Sequence, residues 1–150
     1  MADLTTTISE SVILNGATRG SSNTVTIPNI VDVMERILTC AHSNITTIAV
    51  FNSTPHGAAG ALDLENCKYI RVTNLSTSEV IDLAVVTENT LYTVVLTAGT
   101  SHILCQADTA AIGEDDTTTP AFPTLEDVVT LQVKPRGSED AQVELFVGLV

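Results

Sequence analysis

A chain of 150 residues and 15.8 kDa fits a single domain, which we expect to span residues 1–150 with a sizeable core. Eighteen acidic residues against six basic ones give a net charge of −12, which argues against a nucleic-acid or membrane partner, because phosphates and anionic lipids recruit Lys and Arg. The charged fraction is only 16% and the mean hydropathy is +0.29, which predicts that part of the surface is buried against another copy or another protein. A monomer coated with Thr and Ser is the alternative.

Thr and Val dominate the composition, whereas aromatic residues make up 3% and Trp is absent. β-branched residues lose rotamer freedom in helices and pack well on a pleated sheet, so we expect an all-β protein. The N-terminus lacks the basic and apolar segments of a secretory signal, and no apolar run approaches the roughly 20 residues of a transmembrane helix. Synthesis and assembly in the cytoplasm are therefore expected.

Residues 1–16 are predicted to form an N-terminal arm strand that ends at Asn15-Gly16. Its apolar residues of one parity are Leu4, Ile8, Val12 and Leu14. Ala17–Asn23 are predicted to form a turn-rich loop. A short strand containing Val25 and Ile27 follows, and Pro28-Asn29 stop it.

Ile30–Ala41 fit both a helical period and a period of two. We favour a strand over Arg36–Cys40, with a single helical turn before it. Ile45–Phe51 alternate regularly and predict a strand. Asn52–Gly60 contain Pro and Gly and are predicted to form a loop.

A hairpin array is predicted between Lys68 and Cys105, where short β-rich runs are separated by turn residues. The predicted strands are Tyr69–Thr73, Val80–Val86, Leu91–Leu96 and Ser101–Cys105. The strand Val80–Val86 is apolar on both faces, which predicts that a second sheet, and also a neighbouring subunit, covers it.

Gln106–Thr124 form the longest stretch without a strand pattern. Two more strands are predicted at Val128–Val133 and Gln142–Val150, joined by a polar turn over Lys134–Ala141. About nine short strands at nearly regular spacing predict an antiparallel β-sandwich that is jelly-roll-like.

Residues that could carry chemistry do not cluster in the sequence. Cys40, Cys67 and Cys105 are predicted to be three free, buried thiols, with one disulfide and a free thiol as the alternative. We expect no transition-metal site, because none of the three histidines, His42, His56 and His102, has a Cys or carboxylate at ligand spacing.

Three neighbouring acids are the only candidate metal ligands, namely Glu114, Asp115 and Asp116. They lack the alternation of a calcium loop, so a solvated acidic loop is the simpler interpretation. Neither a G-x-S-x-G element nor a phosphate loop with Lys occurs. We therefore expect no cofactor, no catalytic residue and no enzymatic activity.

Two stretches carry a family resemblance: the opening Met1–Gly16 and the array from Tyr69 to Leu104, which includes Leu96-Thr-Ala-Gly-Thr-Ser-His102. They resemble small structural proteins of tailed bacteriophages, particularly those of marine and cyanobacterial hosts. The resemblance implies a virion protein, of which a capsid decoration (cement) protein is the first expectation. A head-fibre base or a tail accessory protein is the alternative, and no catalytic residue is implied.

The expected partners are further copies of the chain, with a trimer as the expected state, and the major capsid protein. The candidate interface residues are Leu4, Ile8, Phe122, Phe146, Val147, Leu149 and Val150. A receptor- or glycan-binding β module is the other hypothesis. It would use the loops Asn52–Gly60 and Gln106–Thr124.

Overall fold

The computed structural model describes residues 1–54, 57–113 and 124–150. The described residues form strands and turns and contain no helix, and hence none that is long and apolar enough to span a membrane. In chain order the strands are β1 (Ala2–Ser9), β2 (Val12–Leu14), β3 (Ala17–Arg19), β4 (Ser22–Ile30), β5 (Asp32–Cys40), β6 (Thr46–Asn52), β7 (Leu62–Asp63), β8 (Cys67–Asn74), β9 (Ile81–Val86), β10 (Leu91–Leu96), β11 (Ser101–Leu104), β12 (Ala111–Ile112), β13 (Leu125–Glu126), β14 (Thr130–Pro135) and β15 (Ala141–Leu149).

Two antiparallel sheets form the body of the protein. One has the order β10-β9-β14-β6, with the short β7 parallel to β6 at its edge, and the other has the order β11-β8-β15-β5. Without the short β7, the two sheets contain eight strands. In chain order the first of these, β5, lies beside the eighth, β15, and the second, β6, lies beside the seventh, β14. That order is the double Greek key of a jelly roll. The predicted all-β antiparallel sandwich is confirmed.

The core lies between the two sheets and is built by alternation along each strand. In β15, Val143, Leu145 and Val147 are fully buried, and in β9, Ile81 and Leu83 are as well. On the opposite face of β9 the residues are half-buried. A second sheet therefore covers one face of this strand, as predicted, while a neighbouring subunit over the other face stays a prediction.

The N-terminal region differs most from the sequence-based prediction. Ala17–Asn23, predicted to be a loop, contain β3 and the start of β4, and Pro28-Asn29 do not end that strand. Asn15 and Gly16 have φ values of 52° and 77°. Two consecutive positive φ angles make the two-residue turn whose twist matches a β-hairpin, so the chain folds straight back on itself at this point.

Other boundaries shift because pairing partners extend the strands. β5 begins at Asp32, where it pairs with Leu149, so the helical turn predicted before Arg36 is wrong. The array is confirmed at β8 to β11, and β10 has the predicted bounds. Within the predicted loop Gln106–Thr124, β12 pairs with β13, while residues 114–123 lie outside the described part of the chain.

A candidate interaction surface on an N-terminal hairpin arm

Residues 2–30 form one long two-stranded hairpin, here called the arm. β1 pairs with β4 from Leu4–Ile27 to Ser9–Ser22, and β2 pairs with β3 from Val12–Arg19 to Leu14–Ala17. The two ladders share one register, because the numbers of the paired residues add up to 31 in both. The amide of Glu10 donates to the carbonyl of Ser21 over 2.8 Å and joins the two ladders. With a rise of about 3.3 Å per residue, the eleven residues from Leu4 to Leu14 give the arm a length of roughly 35 Å.

The arm has one apolar and one hydroxyl-rich face, because successive side chains point to opposite sides of a ribbon. One face carries the apolar residues Leu4, Ile8, Val12, Leu14, Val25 and Ile27, and Thr6, Asn23 and Arg19 are interspersed among them; it is called the apolar face here. The other face carries Thr5, Thr7, Ser9, Ser22, Thr24, Thr26 and Ile13. Across it, the hydroxyls of Thr7 and Thr24 are hydrogen-bonded at 2.9 Å. The hydroxyl-rich face suits contact with solvent, whereas the apolar face suits contact with protein.

The base of the arm packs on the outer face of the β11-β8-β15-β5 sheet. The chain bends between arm and sheet at Asn29, which has a φ of 64°. Leu4 lies over Gly148, and Ile30 beside it is buried. Between arm and sheet runs a groove of about 340 Å³, lined among others by Ile8, Tyr69, Arg71, Ile103 and Phe146. Leu4, Ile8 and Phe146, three of the predicted interface residues, are thus brought together.

A charged and aromatic cluster forms the floor of this groove. Arg71 Nη1 donates to Glu144 Oε2 over 2.8 Å, and the guanidinium lies 5.8 Å from the centre of the Phe146 ring. The Tyr69 and Phe146 rings meet edge to face, with centres 6.0 Å apart. The hydrogen bond with Arg71 holds the pKa of Glu144 below its usual value, and the same bond raises the pKa of Arg71. Both groups therefore remain charged at neutral pH and fix the aromatic floor.

Beyond its base, the arm exposes its apolar side chains. Ile8, Val12, Leu14 and Val25 are each at least half exposed, and in the described part of the chain β2 and β3 pair only with each other. An isolated two-stranded hairpin is only marginally stable in water. Several exposed apolar side chains on one face of a projecting hairpin favour an interaction surface. We therefore regard the apolar face of the arm as the candidate functional surface.

A second exposed apolar surface, here called the β5 strip, consists of Val31, Val33 and Ile37. Met34 and Leu38, each of which directly follows one of these residues, pack on the core. Because successive side chains of a strand point to opposite faces, Val33 and Ile37 lie on the outer face of the sheet. Among the described residues β5 pairs only with β15, so its other edge is open along nine residues. Open edge strands are normally protected by charge or by a covering segment.

The remaining predicted interface residues do not lie on these surfaces. Val147 and Leu149 are buried between the two sheets, so their assignment to an interface is wrong: the inner parity of β15 serves the core of the same chain. Val150 is half-buried, and its amide donates to the carbonyl of Asn66 over 2.9 Å. Phe122 and the acids Glu114, Asp115 and Asp116 lie outside the described residues.

The titratable groups give no sign of a chemical site in the described residues. Cys40 and Cys67 are buried and free, and burial raises the pKa of both thiols, to about 11 for Cys67. Cys105 is free but exposed, contrary to the prediction, because it follows the end of β11. Over residues 1–54, 57–113 and 124–150, no group of three or more His, Cys, Asp or Glu is placed to hold a metal ion.

Sequence reasoning missed that the arm is a hairpin, and with it the roles of Val25 and Ile27. The signal was present in Asn15-Gly16, which is a strong hairpin turn when β-forming residues flank it. The returning strand is rich in Ser, Thr and Asn, and this composition resembles a loop.

Comparison of the chain with protein-family models, curated proteins and solved structures found no match in any of the three. The argument for function therefore depends on the residues and their arrangement.

Proposed function

We propose that the protein is a non-enzymatic structural component of a virion, and that it works by burying surface against other proteins. The observation that carries this proposal is the arm, whose apolar face continues for about half of its length beyond the body with its side chains exposed. A folded hairpin that leaves such a face in water is better explained as half of an interface than as a catalytic element.

The specific role proposed is that of a decoration (cement) protein on the head of a tailed bacteriophage, docked on the major capsid protein. The resemblance of Met1–Gly16 and of the array Tyr69–Leu104 to structural proteins of such phages supports it. Both stretches lie in parts of the molecule that fit the role, because the first forms half of the arm and the second forms β8 to β11 of the body. The net charge of −12 would keep the protein off packaged DNA.

The two parts of the molecule suit complementary tasks in this role. A jelly-roll body with a closely packed core is rigid and can span the junction between capsomers. An arm of roughly 35 Å can reach over a neighbouring molecule and hold it in place. Interface burial of this kind requires no cofactor and no catalytic group.

The test is to locate the protein in the particle that contains it. We expect quantitative mass spectrometry to find a copy number comparable to that of the major capsid protein, and electron microscopy to place the density on the outside of the head. A few copies per particle, at the neck, tail or a fibre, would exclude the decoration role and favour the head-fibre or tail accessory alternative.

Receptor binding is the second candidate. Asn52 and Ser53 of one predicted loop and Asp108 and Thr109 of the other lie together and line a cleft of about 600 Å³. Its walls are acidic, and Phe51, the aromatic residue among the described lining, is buried. Sugar binding relies on exposed aromatic faces, so this cleft supports a glycan site less well than the arm supports an interface.

A further inference from the structure

We infer that the partner of the arm is a second copy of this chain, and that the apolar face of one arm packs on the β5 strip of the next copy. This inference rests on the proposed function and specifies a partner for the same surface. It assigns the arm to contacts between copies, rather than to contacts with the capsid protein.

The chain carries both halves of an apolar contact, and within one molecule neither half covers the other. The arm exposes an apolar ribbon, and the β5 strip exposes an apolar surface along a nine-residue strand. The strip borders the base of the arm, because Val33 pairs with Gly148 under Leu4, yet its side chains remain 46% to 71% exposed. Two apolar surfaces that stay exposed on one chain can cover each other in a head-to-tail arrangement of copies.

The charge distribution favours the same pairing. Copies of a chain with a net charge of −12 repel one another, so contacts between them require surface with little charge. Within residues 2–30 only Asp3, Glu10 and Arg19 are charged. Arg19, the single base of the arm, lies opposite Val12 on the apolar face, and by the same alternation Glu10 lies on that face between Ile8 and Val12. One base and one acid leave this face without net charge, so copies repel each other little there.

The area that is available also agrees with what a stable assembly needs. The chain exposes 8863 Å² of surface, whereas a compact monomer of its mass exposes about 7,300 Å². The excess is about 1,500 Å². In a closed ring each copy uses two surfaces, its arm and its strip, and a standard interface buries about 800 Å² on each partner. A ring of three copies is the smallest closed head-to-tail ring beyond a dimer.

The test is size-exclusion chromatography with light scattering on the purified full chain and matched variants. Val12→Asp with Leu14→Asp changes the apolar face of the arm, and Ile13→Asp with Thr18→Asp places the same two charges on its hydroxyl-rich face. Ile37→Asp changes the strip, and Ile45→Asp is its control, because both isoleucines are 63% exposed. We expect an oligomer for the wild type and for both controls, and a monomer for the arm variant and for the strip variant.

Mixing the two defective variants identifies the geometry. The arm variant retains an intact strip and the strip variant retains an intact arm, so a head-to-tail contact predicts a dimer in the mixture. A wild type that is monomeric, an Ile37→Asp variant that is still oligomeric, or a mixture that stays monomeric would each overturn the inference. Far-ultraviolet circular dichroism checks folding, and Ser replaces Asp at any position where the Asp variant does not fold.

The outcome is separable from that of the proposed function. A wild type that is monomeric in solution but abundant on the phage head would overturn the arm-to-strip contact and leave the decoration role standing. An oligomer that depends on the arm and strip but is absent from the head would support the arm-to-strip contact and overturn the decoration role.

Discussion

Leu4 occupies the space that Gly148 leaves open on the outer face of the sheet: its Cδ2 atom lies 3.2 Å from the position that a β-carbon on Gly148 would take. This contact joins the first strand of the arm to the last strand of the body. It is the point where the arm is held in place.

Gly148→Ala is expected to loosen the base of the arm, because a methyl group there is too close to Leu4. Leu4 must then move by a few tenths of an ångström, which we expect to cost up to about 1 kcal/mol. Hydrogen exchange should show faster exchange of the β1 amides, while amides of β9 in the core are unchanged. In a Leu4→Ala background the same substitution has room and should cause no further loosening. Unchanged protection of β1 in the single variant would show that the arm is not held at this contact.

Gly16→Ala is expected to destabilise the arm without affecting the body. Gly16 has a φ of 77°, a conformation that costs an L-residue about 1 kcal/mol, and nothing crowds its missing side chain. Gly99 has the same φ and equally open surroundings, but it lies in the turn between β10 and β11. Gly99→Ala should therefore lower the melting temperature of the whole domain, whereas Gly16→Ala should change only exchange in the arm. Equal effects of both on the melting temperature would mean that the arm and body unfold together.

Leu83→Ala is expected to lower the free energy of unfolding by about 2–5 kcal/mol, because Leu83 is fully buried between the sheets. Leu91→Ala removes the same atoms from a side chain that is 56% exposed. It should change the free energy of unfolding by no more than about 0.5 kcal/mol. Urea titrations of both variants measure the difference, and a similar loss in the two would contradict the position of the core.

The Arg71–Glu144 pair should make stability depend on pH in the acidic range. The pKa of Glu144 is lowered in the folded protein, chiefly by the hydrogen bond from Arg71. A carboxyl group with a depressed folded pKa stabilises the protein above its unfolded pKa of about 4.3, and this contribution is lost as the pH falls through the folded value. Glu144→Gln should therefore cost about 1 kcal/mol at pH 7. The difference from the wild type should disappear in strong acid.

Urea unfolding at pH 7 and at a series of acidic pH values tests this prediction. Glu139→Gln is the control, because Glu139 is an exposed residue of the polar turn before β15. A difference between Glu144→Gln and the wild type that persists unchanged into strong acid would contradict the role of the ion pair.

The three thiols should differ in reactivity. Cys105 is exposed, whereas Cys40 and Cys67 are buried and burial raises their pKa. A thiol reagent should therefore modify one cysteine in the native protein and three after denaturation. Cys105→Ser should abolish the native reaction. Modification of Cys67 at the same rate as Cys105 would contradict the burial of the start of β8.

Local sequence patterns were sufficient to predict many of the strands of the body. The β-rich run Leu91–Leu96, with turn residues on both sides, predicted β10 with its bounds, because strand propensity and turn chemistry are local properties. Asn15-Gly16 was identified as the end of the first strand for a similar reason, since only a few residue types adopt positive φ angles easily. The class of fold followed from composition and from the spacing of turn residues.

Tertiary structure decided which face of each strand serves the core and which is left for a partner. Val147 and Phe146 are adjacent apolar residues, and the sequence alone determined only that they point to opposite sides. The second sheet buries Val147, while Phe146 lies with Leu4 in the groove under the arm. The strand β4 likewise exists because β1 pairs with it, since its Ser, Thr and Asn residues have little apolar contrast of their own. Contacts between residues far apart in the chain, rather than local propensity, therefore created the candidate interaction surface.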